Sequence, residues 1–474
     1  MVQNVNFPIT TTHRRLLADL LTPVGTYLKL RQRFPNTVLL ESADYHAARN
    51  SLSFIACDPV ASFVLDEDVV TQTFPNGSRE TFRLERRKEA VGALMAFAGR
   101  FEVPKSSFPF STNGLFGHLT YDAVEYFEDI EIQPKNPETA IPQIRYFVYR
   151  YVLVFNHLKN EVYLFEHDYG VPAKAAPMGL DQLEFLIQTP RTATSTFRAA
   201  PDETSNVTDD QMRETIRKCI GHCLRGDVFQ IVPSRRFARD FEGDDFQVYR
   251  ALRSINPSPY LFYFDFGDYH LFGSSPEKQI FIKGGQAEIH PIAGTFRRTG
   301  DDERDAELAR QLHADPKESA EHVMLVDLAR NDLSRSSESV VVETFKEVQF
   351  YSHVIHLVSK VTGRMIPGTN PLQLVADTFP AGTLSGAPKH MAMTLIDRYE
   401  TTNRSSYGGA IGHLDFNGDF NHAIAIRTFL SKGNTLFYQA GMGVVAKSDV
   451  ESEMAEVGNK LAALRKAVEM AENL

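Results

Sequence analysis

Four glutamates in two short pairs carry the first chemical signal in this chain. Glu318-x-x-Glu321 and Glu453-x-x-Glu456 each set two carboxylates three residues apart, a spacing that puts both on one face of a helix. Four hard oxygen donors drawn from two helices suit Mg2+, which binds through one or two carboxylates and keeps waters or substrate oxygens. Taken singly, each pair also fits a solvated helix face, and Glu318 fits the closing residue of a capping box. Residues 421–427 (NHAIAIR) alternate as a strand does and end on Arg427. Its planar fork matches a carboxylate, although a surface arginine would read the same way. Gly441-Met442-Gly443 ends another strand-like stretch, either as a tight turn or as a nest of N–H groups that could receive an anion. His356 lies in an apolar segment and reads either as a core residue or as a base.

Two tempting motifs are set aside. Residues 379–389 form a glycine-rich loop ending in Lys389, but Gly386 is followed by Ala-Pro-Lys, so the phosphate-loop spacing is absent. Cys219, His222 and Cys223 lack a fourth zinc ligand at sensible spacing and read as part of a helix and its core.

The elements that must position these residues follow from periodicity and caps. Thr208 to Gln211 reads as a capped start for a helix with the stripe Met212, Ile216, Cys219, Ile220 and Cys223. Strands are expected over 227–232, 260–266, 270–273 and 278–283. Asp315-Pro316 starts the helix of the first acidic pair. Ser448 to Glu451 starts that of the second, whose stripe is Val450, Met454, Val457, Leu461, Leu464 and Val468. A further helix is expected from Met391. The first 165 residues read as strands and turns with one helical stretch, strands falling at 38–41 and 147–155 and a strand running into a helix over 115–124. Residues 171–209 read as a connection with a helical interlude at 180–187. The expected organisation is therefore an N-terminal region 1–170, a connecting segment 171–209 and a catalytic region 210–474.

The chain has 474 residues and a formal charge of -10. That balance argues against nucleic-acid or acidic-membrane binding, and an anionic ligand would need locally placed cations. Three cysteines without a CxxC, no signal-like apolar start and no apolar run of about 18 residues point to a soluble cytoplasmic protein.

A series of ordered segments carries a family resemblance: LLES (39–42), GDVFQIVPSRRF (226–237), NPSPYLFYF (256–264), SSPE (274–277), PIAGT (291–295), ESAEHVMLVDLARNDLSR (318–335), GTLSGAPK (382–389), YGGAIG (407–412), AIRT (425–428), GMG (441–443) and EVGNK (456–460). Together they resemble the anthranilate synthase component I family of chorismate-using enzymes, over nearly the whole chain. The resemblance implies an α/β (α+β) fold of two facing, largely antiparallel sheets with outer helices and the active site in the cleft. It implies chorismate as substrate and Mg2+ as cofactor, with Glu321 and Glu456 as direct ligands and Glu318 and Glu453 acting through waters. Arg427 and Tyr407 would hold the enolpyruvyl carboxylate, with contacts from Gly294, Thr295 and Gly441, Met442 and Gly443. Glu277 would be the acid, His356 the base, and Thr383 a supporting group.

Two positions separate the relatives. Aminodeoxychorismate synthases commonly carry a nucleophilic lysine where this chain has Ala293. Isochorismate and salicylate synthases carry a water-activating lysine where it has Gln230. With neither amine, the resemblance points to ammonia as nucleophile and anthranilate plus pyruvate as products. It also implies a glutamine amidotransferase partner, in a heterotetramer, and inhibition by tryptophan at Ser42, Pro259, Tyr260 and Leu261. The rival readings are an aminodeoxychorismate or salicylate synthase and a non-catalytic tryptophan-sensing subunit.

Overall fold

A computed structural model describes residues 5–42, 51–135, 137–172, 177–190, 195–350 and 354–474, with the side chains at 137, 295 and 317 outside that description. Alternation of large apolar residues builds its architecture. In the strand Ile144–Asn156, Phe147, Tyr149, Val152 and Val154 enter one core, while Tyr151, Leu153 and Phe155 enter another on the opposite face. The strand Tyr260–Asp265 does the same, with Phe262 and Phe264 inward and Leu261 and Tyr263 outward. Side chains on a strand alternate between faces, so a strand apolar on both faces must be covered on both.

The covering is unequal. Twenty-two strands among the described residues join in one network that closes on itself, and their inward faces meet in a core that draws on strands from both ends of the chain. Helices cover the outside in two groups. Pro23–Arg31, Gly179–Gln188, Asp209–Arg225, Phe246–Ile255 and Val450–Ala471 pack on one outer core. Ala90–Ala98, Pro316–Ser334 and Pro371–Thr378 pack on the other. The result is the expected pair of facing, largely antiparallel layers with helices outside. The helices bearing the two acidic pairs belong to different groups, so any site that uses both must lie where the layers meet.

Residues 1–170 and 210–474 share these sheets. Val38–Glu41 pairs with Tyr260–Asp265, and Leu115–Leu119 pairs with Ala410–Leu414. The C-terminal helix shows why the last stripe is legible. Val457, Leu461, Leu464 and Val468 are all buried, each contributing about 1.5–3 kcal/mol by leaving water. Leu461→Asp would break that seam.

Several boundaries differ from expectation. The last helix is capped by Asp449, which accepts from Ser452 N at 2.9 Å, whereas Ser448 Oγ accepts from Val445 N at 3.0 Å in the preceding turn. Only Gln230–Ile231 is strand within 227–232, because it meets just the two-residue Gly386–Ala387 on one side and a single bridge, Ile231 to Val444, on the other. Residues 379–389 include a helical turn, Gly382–Ser385, and the next helix begins at Lys389 instead of Met391. Among the described residues of the first 165 there are two α-helices, Pro23–Arg31 and Ala90–Ala98. The connecting segment contains the helix Gly179–Gln188 and short strands at Phe197–Ala199 and Thr204–Ser205, which pair with Ser234–Gly243. Cys219 and Cys223 are buried free thiols, and His222 bonds to Asp227 and Tyr399.

Candidate active site

The cleft is built from breaks in strands. Strands His270–Ser275 and Lys278–Lys283 are interrupted at Pro276-Glu277, and Ile424 N donates to Glu277 O at 2.9 Å. The next interruption, residues 425–427, leaves Arg427 with φ 51°, and Ser274 N donates to Arg427 O at 3.1 Å. The left-handed region is unfavourable for a residue with a Cβ. Such strain is held only where the surroundings over-determine it, commonly at functional sites. The two backbone bonds lock the Glu277 and Arg427 corners together.

Glu277 accepts a hydrogen bond from Thr383 Oγ1 at 3.1 Å. Burial pushes its carboxyl up to about 7, against the opposing pull of Thr383, Lys460 and Arg427. Burial also lowers the Arg427 guanidinium, with Glu277 opposing. Among the described residues Arg427 makes no side-chain hydrogen bond or ion pair. A partly buried cation whose donors are unbonded is costly, and an incoming carboxylate would relieve that cost.

His356 pairs in register opposite Thr295, and its Nδ1 lies 2.8 Å from Gly294 O. A carbonyl can only accept, so Nδ1 carries the proton and Nε2 keeps its lone pair. Burial lowers the imidazole to about 4, with the Arg427 charge adding to the effect. Gly294 sits at a bulge with φ 68°, where a Cβ would come 3.1 Å from Glu318 Oε2 and 2.7 Å from Leu312 Cδ1. Glycine here lets the acidic helix settle beside the histidine strand. The hydroxyl contact expected of Thr295 lies outside the described residues.

The two acidic helices converge on the Gly441–Gly443 turn. Gln230 Nε2 donates to Glu321 Oε1 at 3.1 Å. A Cβ on Gly443 would stand 2.6 Å from that Nε2 and 3.7 Å from the Glu321 oxygen. From the other side, Lys460 Nζ is 2.6 Å from Glu456 Oε1 and 2.8 Å from Gly441 O. Tyr407 Oη would be 2.9 Å from a Cβ on Gly441, and burial raises its phenol well above the ordinary value. Glu453 is buried in the first turn of its helix, an unusual place for a carboxylate. Met442 is fully buried in the core, and its N–H donates to Pro233 O at 3.1 Å, which anchors the turn.

Among the described residues no three His, Cys, Asp or Glu side chains stand close enough to form a metal cluster. The donor chemistry nevertheless fits Mg2+. One carboxylate from each helix suffices, because this ion keeps several waters and takes further oxygens from its ligand. Lys389 is no phosphate ligand; it is 2.8 Å from Asp332 Oδ2. Leu261 pairs with Glu41, whose buried carboxylate accepts from Tyr249 Oη at 2.7 Å and Arg253 Nε at 2.9 Å. Tyr260 pairs with Ser275, and Ser42 is the last described residue before 51. The structure thus sets Ser42, Pro259, Tyr260 and Leu261 at one end of a strand pair that leads to Glu277. Lys460 was missed as a functional residue, although its i+4 spacing from Glu456 predicts their ion pair.

The family model described as chorismate binding enzyme matches residues 36–466. The chain belongs to the chorismate-binding enzyme family. Among its relatives, an anthranilate synthase component 1 from Neisseria meningitidis is 37% identical over 96% of this chain and 94% of its own length. One from Aquifex aeolicus is 36% identical over 98% and 96%. The crystal structure of anthranilate synthase component I from Streptococcus pneumoniae superimposes with a TM-score of 0.76 at 32% identity, covering 95% of this chain and 99% of that one. A menaquinone-specific isochorismate synthase from Escherichia coli matches with a TM-score of 0.72 at 17% identity, which bears on the fold alone. Gln230 bonds to Glu321, and Ala293 adjoins Gly294 on the strand opposite Leu357, so neither position brings an amine to the cleft.

Proposed function

We propose that this enzyme is the large subunit of an anthranilate synthase, converting chorismate and ammonia to anthranilate and pyruvate by way of aminodeoxyisochorismate, the first step of tryptophan biosynthesis. The observation that carries this reading is a cleft with a partly buried arginine that makes no hydrogen bond among the described residues, a carboxyl raised to about 7 and a neutral histidine, lacking an amine at positions 230 and 293. Gln230 cannot deprotonate water, and Ala293 cannot attack the ring.

Arg427 and Tyr407 bind the enolpyruvyl carboxylate. Glu321 and Glu456, with Glu318 and Glu453 behind them, would hold Mg2+, which supplies charge neutralisation at the ring carboxylate. Ammonia forms a bond to C2 with its lone pair, and the 4-hydroxyl leaves as water with the proton of Glu277. Thr383 orients that carboxyl. In the second step His356 Nε2 removes the C2 proton, the C3–O bond breaks with its electron pair staying on the enolpyruvyl oxygen, the ring becomes aromatic, and the departing enolate takes a proton at its methylene carbon to become pyruvate. Carboxylate binding at Arg427 would remove part of the field that lowers His356, strengthening the base once substrate is in place.

Ammonia would come from a glutamine amidotransferase partner, in a heterotetramer. Tryptophan would inhibit at Ser42, Pro259, Tyr260 and Leu261, through the strand pair that ends at Ser275. The test is an assay of the isolated chain with chorismate, Mg2+ and ammonium, following anthranilate fluorescence and pyruvate release. Wild type should make both products, and Glu456→Gln should lose turnover. Salicylate as product, or normal turnover in the variant, would refute the reading.

A further inference from the structure

Glu321 and Glu456, the two carboxylates assigned above as direct metal ligands, are held by different chemistry. Glu456 leans on a cation, with Lys460 Nζ at 2.6 Å. Glu321 makes one side-chain hydrogen bond among the described residues, accepting from Gln230 Nε2 at 3.1 Å. An ionised carboxylate only accepts, so the nitrogen end of the amide is the end that faces it. That nitrogen is boxed in on another side, where a Cβ on Gly443 would stand 2.6 Å away.

The backbone beneath Gln230 is fixed from both directions. Phe229 N donates to Ala387 O at 2.7 Å, Ile231 N donates to Val444 O at 3.1 Å, and Val444 N returns a bond to Ile231 O at 2.9 Å. Gly386, at φ 131°, lies so close that a Cβ there would stand 2.2 Å from Gln230 O. The side chain is 3% exposed, and its Oε1 is buried without a hydrogen-bond partner. A buried carbonyl left unpaired destabilises the fold, and a methionine of similar length would not carry one. Packing alone therefore gives no reason for an amide at this position, whereas the bond to Glu321 does.

We propose that Gln230 is a positioning residue for the metal, its amide fixing the rotation of the Glu321 carboxylate by holding Oε1 and leaving Oε2 unbonded. The inference rests on the assignment of Glu321 to Mg2+ under the reading above. A carboxylate oriented in advance has less side-chain freedom to lose when an ion binds, and outer hydrogen-bond partners of metal ligands set affinity in this way. A neutral donor also leaves the carboxylate its full charge. A cation in the same place would orient Glu321 and compete with Mg2+ for it.

The test measures Mg2+ affinity of the metal-stripped full chain, by calorimetry and by the rise of melting temperature with Mg2+. Gln230→Met should weaken Mg2+ binding about tenfold, while the melting temperature without metal holds or rises because the unpaired carbonyl is gone. Gln230→Leu is a second apolar variant that should behave alike, should methionine pack poorly. Glu321→Asp draws the carboxylate back from the amide, so adding Gln230→Met to it should change the Mg2+ Kd by less than about twofold. Unchanged Mg2+ affinity in the folded apolar variants would overturn the proposal, whatever their melting temperatures. So would a full tenfold further loss on the Glu321→Asp background, since Gln230 would then act through another group. Wild type showing no response to Mg2+ in either measurement would instead remove the metal assignment, and this inference with it.

Discussion

Two arginines in this enzyme, one buried and one partly buried, face glutamates, and they do opposite things. Arg404 donates through Nε to Glu400 Oε2 at 2.9 Å and through Nη2 to Oε1 at 2.7 Å, and reaches Leu384 O and Val232 O at 2.6 Å each. Glu400 also accepts from Ser234 N and Oγ at 2.8 and 2.7 Å. This cluster ties the Gly382–Ser385 turn to the strand beginning at Ser234. Arg427, in contrast, has an electrostatic partner in Glu277 but no bond to it, and a backbone in the left-handed region. One arginine is saturated by the protein; the other is left for a ligand. Charge alone would not distinguish them. The count of satisfied donors does.

The largest expected effect tests the saturated pair. Arg404→Met strands Glu400 among buried acceptors and should cost about 3–5 kcal/mol, read as a lower urea midpoint. Adding Glu400→Leu should recover a good part of that loss, since a buried pair replaced by apolar residues can be nearly neutral. Failure of the double variant to recover would mean that the contacts to Leu384 and Val232 matter more than the pair.

The corresponding change at the other arginine should separate stability from turnover. Arg427→Gly removes a partly buried cation that makes no hydrogen bond among the described residues and gives a positive-φ site the residue that tolerates it, so the melting temperature should hold or rise. kcat/KM for chorismate should fall by about 2–5 kcal/mol of transition-state binding, the range for losing one partner of a buried charge pair. A drop in stability comparable to that of Arg404→Met would erase the distinction between the two arginines.

That distinction was only partly legible in the sequence. The acidic pairs, Arg427 and the C-terminal stripe could be read because side-chain period and residue type carry them. The i, i+4 spacing of Glu400 and Arg404 was equally visible, yet it reads like any exposed helix pair until the sheets bury it. The bond from Gln230 to Glu321 was invisible, since it depends on which helix the sheets bring to that short strand and a single sequence does not display it. The backbone bond that holds Met442 was hidden for a related reason. The nest motif describes backbone glycines, and which of its N–H groups the neighbouring Pro233 consumes is decided by tertiary pairing. Strand 227–232 was overlong because a ladder needs a partner as well as propensity.

The smallest effect concerns protonation, and it sharpens the comparison most finely. Glu277 has a carboxyl raised by burial to about 7, so the acid form needed for protonating the leaving hydroxyl is present below that pH and lost above it. At saturating ammonia, kcat should therefore fall about tenfold per pH unit on the alkaline side of 7. His356, lowered to about 4, is already neutral there and should contribute only an acid limb near pH 4. Glu277→Gln has no proton to give, so its residual rate should be low and show no alkaline limb near 7. The positive charge of Arg427 pulls the Glu277 value down, so Arg427→Gly should shift the limb upward in pH, whereas Arg404→Met, where enough protein remains folded to assay, should leave it in place. A limb that moves equally in both variants would mean that Glu277 senses the general state of the fold and not the arginine left open for substrate.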